Sequence, residues 1–158
     1  MVAPVDYVQW SFFGWMGVCT AVSLSNIGAA YGTAKAGVGI GSMAVTKPGL
    51  VYKSLVPVVM AGILGIYGLI VGVILIPKVR LDNAGPYQGA KILASGFCVG
   101  FSSLAAGYAI GIVGDTGVRS NAQNSEIFVA MILMMIFAEA IGLYGLIISI
   151  ILSNVDTS

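Results

Sequence analysis

Residues 61–75 read AGILGIYGLIVGVIL, and residues 138–152 read AEAIGLYGLIISIIL. Sliding the chain by 77 residues lays one on the other without a gap, and eight of the fifteen positions are identical. The same slide pairs Ser25 with Ser102, Ala29 with Ala106, Tyr31 with Tyr108 and Gly37 with Gly114. The chain is therefore one pattern written twice. Where the first copy has Gly62, the second has Glu139. From Ile127 to Leu152 that glutamate is the only charged residue.

The surroundings explain what kind of segment carries the acid. Of the 158 residues, 58% are hydrophobic and 8% charged, and mean hydropathy is +1.00. A soluble domain carries about 25% charged residues. Four uncharged or nearly uncharged runs follow one another: Tyr7–Ala34, Ser54–Pro77, Ile92–Gly114 and Ile127–Leu152. About 20 apolar residues in a helix cross the hydrocarbon core of a bilayer. Lipid offers no partner for backbone polar groups, so a span must satisfy its own and be helical. A soluble bundle would show a polar face at helical period, and the second and fourth runs show none. The sequence thus predicts an all-α integral membrane protein with four transmembrane helices. Residues 1–158 form a single membrane domain, with a first helical hairpin at 7–76 and a second, bearing the acid, at 87–152.

Each repeat contains two spans, so both enter the membrane in the same direction and are parallel rather than inverted. Gly62 and Glu139 should then share a depth. The odd helices are rich in small residues: Gly28/Gly32, Gly37/Gly41, Gly96/Gly100 and Gly107/Gly111 lie four apart. Lipid is as apolar as leucine, so helices associate there by close packing, which glycine permits. The pattern predicts a tightly packed inner layer of helices one and three, through Gly28, Gly32, Gly96, Gly100, Gly107 and Gly111, and an outer layer of helices two and four facing lipid; ordinary packing inside a four-helix bundle would also use such glycines. Polar connections are expected at 42–53, 77–87 and 115–126. Loops one and three carry Lys35, Lys47, Lys53 and Arg119; the other side carries Lys78, Arg80 and Lys91. That bias is too small to orient the chain.

Other classes drop out on composition. The first segment lacks a positive n-region and is too long for a signal-peptide core. A net charge of +1 gives no nucleic-acid footprint. Histidine is absent, which removes imidazole as ligand, relay or base. Cys19 and Cys98 fall inside spans and read as small packing residues. No cofactor and no metal site is expected.

A charged carboxylate at mid-bilayer costs roughly 2.5–3.5 kcal/mol on insertion scales. The neutral form is the cheaper one there, and a nearby cation favours ionisation. Glu139 can therefore switch between a proton-loaded state facing lipid and an ionised state facing a cation or water. No Lys or Arg lies in the spans near its depth, so a cation would come from another subunit. Gly62, Tyr67, Phe137 and Tyr144 are the candidate neighbours of the acid. Sodium would want several oxygen ligands, and VMAGILGI (59–66) supplies no side-chain oxygen; a proton needs one carboxylate.

Four stretches together resemble the proteolipids of the c-type ring in V-type (vacuolar) ATPases: IGAAYGTAKAGVGI (27–40), VPVVMAGILGIYGLIV (56–71), GYAIGIVGDTGVR (107–119) and IFAEAIGLYGLI (136–147). The resemblance covers essentially the whole chain. It implies a homo- or hetero-oligomeric ring of c-type subunits turning in lipid, driven by ATP hydrolysis in a separate sector. The chain would then have no ATP-hydrolysing site of its own. The family's proton-carrying glutamate falls on Glu139, and its partners would be the arginine-bearing a subunit and the central-stalk d subunit. The resemblance further implies a multi-pass protein of vacuolar or other acidic endomembranes with lumenal termini. Without it, one intramembrane acid on four spans would also suit a proton-coupled small-molecule antiporter or a structural tetraspan protein.

Overall fold

A computed structural model describes residues 4–79 and 86–155, with side chains described from Trp10 onward. Arg80 and most of the second connection lie outside the described residues. Four helices follow in order: α1 (Pro4–Thr46), α2 (Val56–Val79), α3 (Pro86–Gln123) and α4 (Ile127–Asn154). All four are long and apolar enough to cross a membrane.

The odd helices are much longer than their uncharged runs. At 1.5 Å per residue, the 43 residues of α1 and 38 of α3 extend about 60 Å, twice the roughly 30 Å hydrocarbon core. The expected connections at 42–53 and 115–126 shrink accordingly. Helix α1 runs on to Thr46, and two short 3-10 turns, Pro48–Leu50 and Lys53–Leu55, lead into α2. Helix α3 absorbs Asp115–Gln123, leaving Asn124–Glu126 as the turn. Charges mark where lipid ends but do not break a helix, which is why the polar text read as loop. Lys35 and Arg119, counted as loop cations, are helical. They flank the buried Asp115, with Arg119 Nε donating to Oδ1 at 2.7 Å and Lys35 Nζ at 3.4 Å from Oδ2. Within this cluster of three ionised groups the charges reduce to one net positive.

The hairpins are built alike. In the first, Gly68 lies against Ser25 and the Ala21 carbonyl; in the second, Gly145 lies against Ser102 and the Cys98 carbonyl. Each residue of the second set is the 77-residue counterpart of one in the first. Ser95 and Ser149 fasten α3 to α4 further along, hydroxyl to hydroxyl at 2.7 Å, both buried. At the far end Lys78 and Lys91 cap the last carbonyls of α4. Lys78 Nζ donates to Ser153 O at 2.5 Å and Asn154 Oδ1 at 2.6 Å, and Lys91 Nζ donates to Val155 O at 2.8 Å. Cations suit a helix C-terminus because its unpaired carbonyls carry partial negative charge.

The hairpins lie side by side, α1 against α3 and α2 against α4, as two layers. The α1–α3 seam is set by glycine. A Cβ on Gly28 would come within 2.5 Å of the Ser103 carbonyl, and one on Gly32 within 2.8 Å of the Gly107 carbonyl. Gly96 and Gly107 abut the Gly17 and Gly28 backbones still more closely. Within the single chain these glycines join its own two halves. Gly100 meets Thr20 and Leu24, and Gly111 meets Gly32 and Lys35 of the same α1. Gly37 and Gly41, also four apart, have nothing within 4 Å in the single chain and are exposed. Gly17 and Gly39 take the contacts instead, against Ile92–Leu93 and Asp115. Cys19 and Cys98 are free thiols.

Candidate functional site

Glu139 lies halfway along α4, on the flank that faces α2. Every position around it in sequence is apolar, so α4 forms as a helix hydrophobic all round, with hydrogen bonds closed within the segment. Its ends are fixed from outside, by the Asn124–Glu126 turn and by the lysines at its far end. The acid therefore cannot slide along the bilayer without moving the hairpin.

One polar group meets it. The Tyr67 hydroxyl donates to Glu139 Oε1 at 3.0 Å, bridging α2 and α4 across 72 residues of chain. Tyr67 is 8% exposed and Glu139 is partly buried, so the bond lies at the rim between protein and lipid. Side chains lean toward the N-terminus of their helix. That lean carries the phenol from position 67 up toward position 62, the level of the acid in the parallel repeat. Below the bond, Gly142 packs on Leu64 and Tyr67, bringing the two outer helices close enough for the phenol to reach.

The other candidate neighbours are placed differently. Phe137 is 74% exposed and Tyr144 65% exposed, both on the outer surface of α4. Gly62 is partly buried, and a Cβ there would have nothing within 4 Å. Of the four, Tyr67 is the one whose hydrogen bond reaches the carboxyl among the described residues. The apolar stretch 59–66 holds no oxygen, as read from sequence; the oxygen comes from the next residue. Ser102 and Ser103, near mid-depth on α3, are placed away from the acid. Ser102 donates to the Cys98 carbonyl of its own helix at 2.8 Å, and Ser103 is fully buried, its backbone against Gly28.

The arrangement suits one chemistry. A phenol O–H can donate to a carboxyl oxygen whether that carboxyl is protonated or ionised. It therefore steadies the side chain against α2 without fixing its charge. Among the described residues no group of three or more His, Cys, Asp or Glu side chains is close enough to hold a metal ion.

Known proteins share this pattern. The profile of the ATP synthase C-subunit family matches twice, at residues 16–75 and 93–152. The chain is 57% identical over 144 residues to the V-type proton ATPase 16 kDa proteolipid of Rattus norvegicus, covering 91% of this chain and 92% of that protein. It is 56% identical over 150 residues to the 16 kDa proteolipid of Nephrops norvegicus, covering 93% of each. Against the Homo sapiens 16 kDa proteolipid it is 54% identical over 144 residues, covering 91% and 92%. Four apolar spans, a family profile matched once in each half, and relatives that align nearly end to end converge: the chain belongs to the ATP synthase C-subunit family, on the side of the V-type 16 kDa proteolipids.

Proposed function

We propose that this chain is a rotor subunit of the membrane sector of a V-type ATPase, and that Glu139 is its proton carrier. The observation that carries the reading is the Tyr67–Glu139 bond at 3.0 Å on the lipid-facing flank of the outer layer. It holds a lone acid where it can cross lipid neutral. In each turn Glu139 takes a proton from water on one side, travels with it through lipid, and gives it up where a cation stabilises the anion. That cation is an arginine of the stationary a subunit. The central-stalk d subunit passes torque from the ATP-hydrolysing sector to the ring.

Electrostatics makes the direction of transfer enforceable. An ionised carboxylate facing lipid is penalised by roughly 2.5–3.5 kcal/mol, a factor of about 100 in population. The ring therefore turns only when the departing acid is loaded. One carboxyl and one phenol suffice to hold a proton, whereas a dehydrated sodium ion wants several oxygens. The protein would lie in vacuolar or other acidic endomembranes with lumenal termini. A proton-coupled antiporter built on the same four helices is not favoured, because the whole chain follows the V-type proteolipid pattern.

The test is ATP-driven acidification of vesicles whose only c-type subunit is the Glu139→Gln variant. Gln keeps the shape and can accept the Tyr67 bond but releases no proton. We expect assembled complex and no acidification. Sustained acidification by that variant would overturn the assignment.

A further inference from the structure

Where α1 and α3 end together, Ser42, Thr46, Lys47, Arg119 and Gln123 line a cavity of about 430 Å³. Among the described residues no carboxylate lines it. Arg119 Nε donates to Asp115, which leaves the outer N–H groups of the guanidinium for another acceptor. Lys47 is exposed and takes part in no ion pair among the described residues. Ser42 and Thr46 spend their hydroxyl protons on the Gly39 and Met43 carbonyls of their own helix, at 2.8 and 2.9 Å. The donors left to the cavity are therefore two cations and the Gln123 amide. The Lys35–Asp115–Arg119 cluster carries one net positive charge, and Lys47 adds a second.

The depth of the cavity follows from the packing of α3 on α4. Gly142 lies against Ala106, and the two helices run in opposite directions, so Glu139 is level with Ala109. Arg119 and Gln123 stand further along α3 by about 15 and 21 Å, at 1.5 Å per residue. Half the hydrocarbon core is about 15 Å thick, and the headgroup zone lies just outside it. With Glu139 at mid-bilayer, the cavity opens at the height of the lipid phosphates. With lumenal termini, as proposed above, it meets the cytoplasmic leaflet, which is rich in anionic lipid.

We propose that this cavity binds the phosphomonoester headgroup of an anionic membrane lipid, whose acyl chain descends along the same face of α3. Basic pockets between spanning helices hold headgroups of this kind. A phosphomonoester carries about −1.5 to −2 charges at neutral pH, which the two net positive charges match; a phosphodiester carries one. The guanidinium offers its remaining N–H groups to two phosphate oxygens at once, and Lys47 acts as a point charge. A second observation makes the ligand a lipid rather than a free anion. Ile27, Tyr31, Phe101, Leu104 and Tyr108 line an apolar groove of about 560 Å³. Phe101 and Arg119 are eighteen residues apart, as are Leu104 and Ala122, and Ala105 and Gln123. Eighteen residues make five helical turns, so groove and cavity share one face of α3. Ile112, exposed on that face, lies between them. The groove begins at Tyr108, level with the acid, where the acyl chains of that leaflet end. Its floor is the Tyr31–Tyr108 stack, 5.2 Å between ring centroids. The site stands on the four spans and the depth of Glu139, and requires no rotation.

The experiment reconstitutes the assembled complex in phosphatidylcholine nanodiscs containing a minor fraction of phosphatidate, a monoester, or of phosphatidylglycerol, a diester. Lipid retained through detergent washing is counted per chain by mass spectrometry. The unmodified chain should retain phosphatidate in preference to both other lipids. Lys47→Ala should lower that retention about fivefold, the share of one cation at a membrane surface. Arg119→Lys, which keeps a charge beside Asp115 but gives up the planar fork, should lower it as well. Lys53→Ala removes a cation from the same end but outside the cavity and should change nothing. Equal retention of the three lipids overturns the proposal, as does a loss with Lys53→Ala as large as with Lys47→Ala. Complete displacement of phosphatidate by inorganic phosphate would make this a site for a free anion and also overturns it. So does full retention of phosphatidate by Lys47→Ala with loss of a soluble subunit, which would show that a protein surface covers the cavity. Acidification by the Glu139 variant is a separate measurement, so the rotor reading can fail without the lipid site failing.

Discussion

The inner pair, α1 and α3, and the outer pair, α2 and α4, are both parallel pairs related by the same duplication, yet they are joined in opposite ways. The inner pair meets backbone to backbone through Gly17, Gly28, Gly32, Gly96 and Gly107. The outer pair meets through side chains, with Leu64 and Tyr67 against Gly142 and one hydrogen bond to Glu139. Burial separates the layers only in the second hairpin: 44% of the spanning stretch of α3 is inside the chain against 22% for α4, whereas α1 and α2 are alike at 39%. A seam of touching backbones has one geometry, because any displacement produces a clash. A seam of side chains can open and close by rotamer. The molecule thus places its rigid joint in the inner layer and its movable acid in the outer one.

The comparison breaks most severely at the inner joint. Gly107→Leu would drive a side chain into the Gly28 backbone, and overpacking of this kind costs about 3 kcal/mol. We expect little or no folded chain to be recovered from membranes. Gly37→Leu, where nothing lies within 4 Å, should leave the chain's own fold intact. Normal recovery of the Gly107 variant would show that the inner seam is less rigid than its geometry implies.

Moving the acid tests whether depth alone suffices in the outer layer. Gly62→Glu combined with Glu139→Gln preserves the depth but puts the carboxyl beside Ile63 and Leu64 in place of Ala140 and Ile141. It also leaves behind the Tyr67 bond. Misplacement by about 1 Å can cost a factor of order 100 in a tuned site, so we expect little or no acidification by otherwise assembled complexes. Pumping close to the unmodified level would mean that local surroundings count for little.

Tyr67→Phe is a smaller change that removes only the phenol oxygen. A hydrogen bond of about 1 kcal/mol corresponds to a roughly fivefold change in how often Glu139 stands free of α2. Labelling of Glu139 by a hydrophobic carbodiimide, which reacts with protonated carboxyls in apolar surroundings, should quicken by about that factor. An unchanged rate would show that the bond does not restrain the acid.

The smallest effect is expected at the Ser95–Ser149 link. Ser95→Ala removes its buried bonds to the Ser149 hydroxyl and carbonyl, and interhelical bonds in membranes average about 0.6 kcal/mol. The denaturation midpoint of the purified protein in detergent should fall slightly, with acidification unaffected. A large drop would place a main fastening of the second hairpin there rather than at Gly145.

The sequence by itself determined the four spans, the duplication and the acid. Each is a local or one-dimensional property: hydropathy along the chain, identity at a fixed offset, one charge where lipid penalises charge. Tyr67 could be named as a neighbour because the repeat places position 67 close below the level of position 139. That its phenol bonds the carboxyl, while Phe137 and Tyr144 turn outward, was decided only by how α2 and α4 rotate against each other, and no local pattern encodes that rotation. The lengths of α1 and α3 were hidden for a different reason. Charged residues end an apolar run without ending a helix, so Lys35 and Asp115 read as loop until the fold paired them. Glycine spacing did not single out Gly17 and Gly39, nor show that Gly37 and Gly41 face away from the seam inside the chain, because a spacing of four marks one face of a helix without saying what faces it. Only the tertiary structure decided that, by laying α1 beside α3 at nearly equal height, where the residues without a Cβ allow the two backbones to meet.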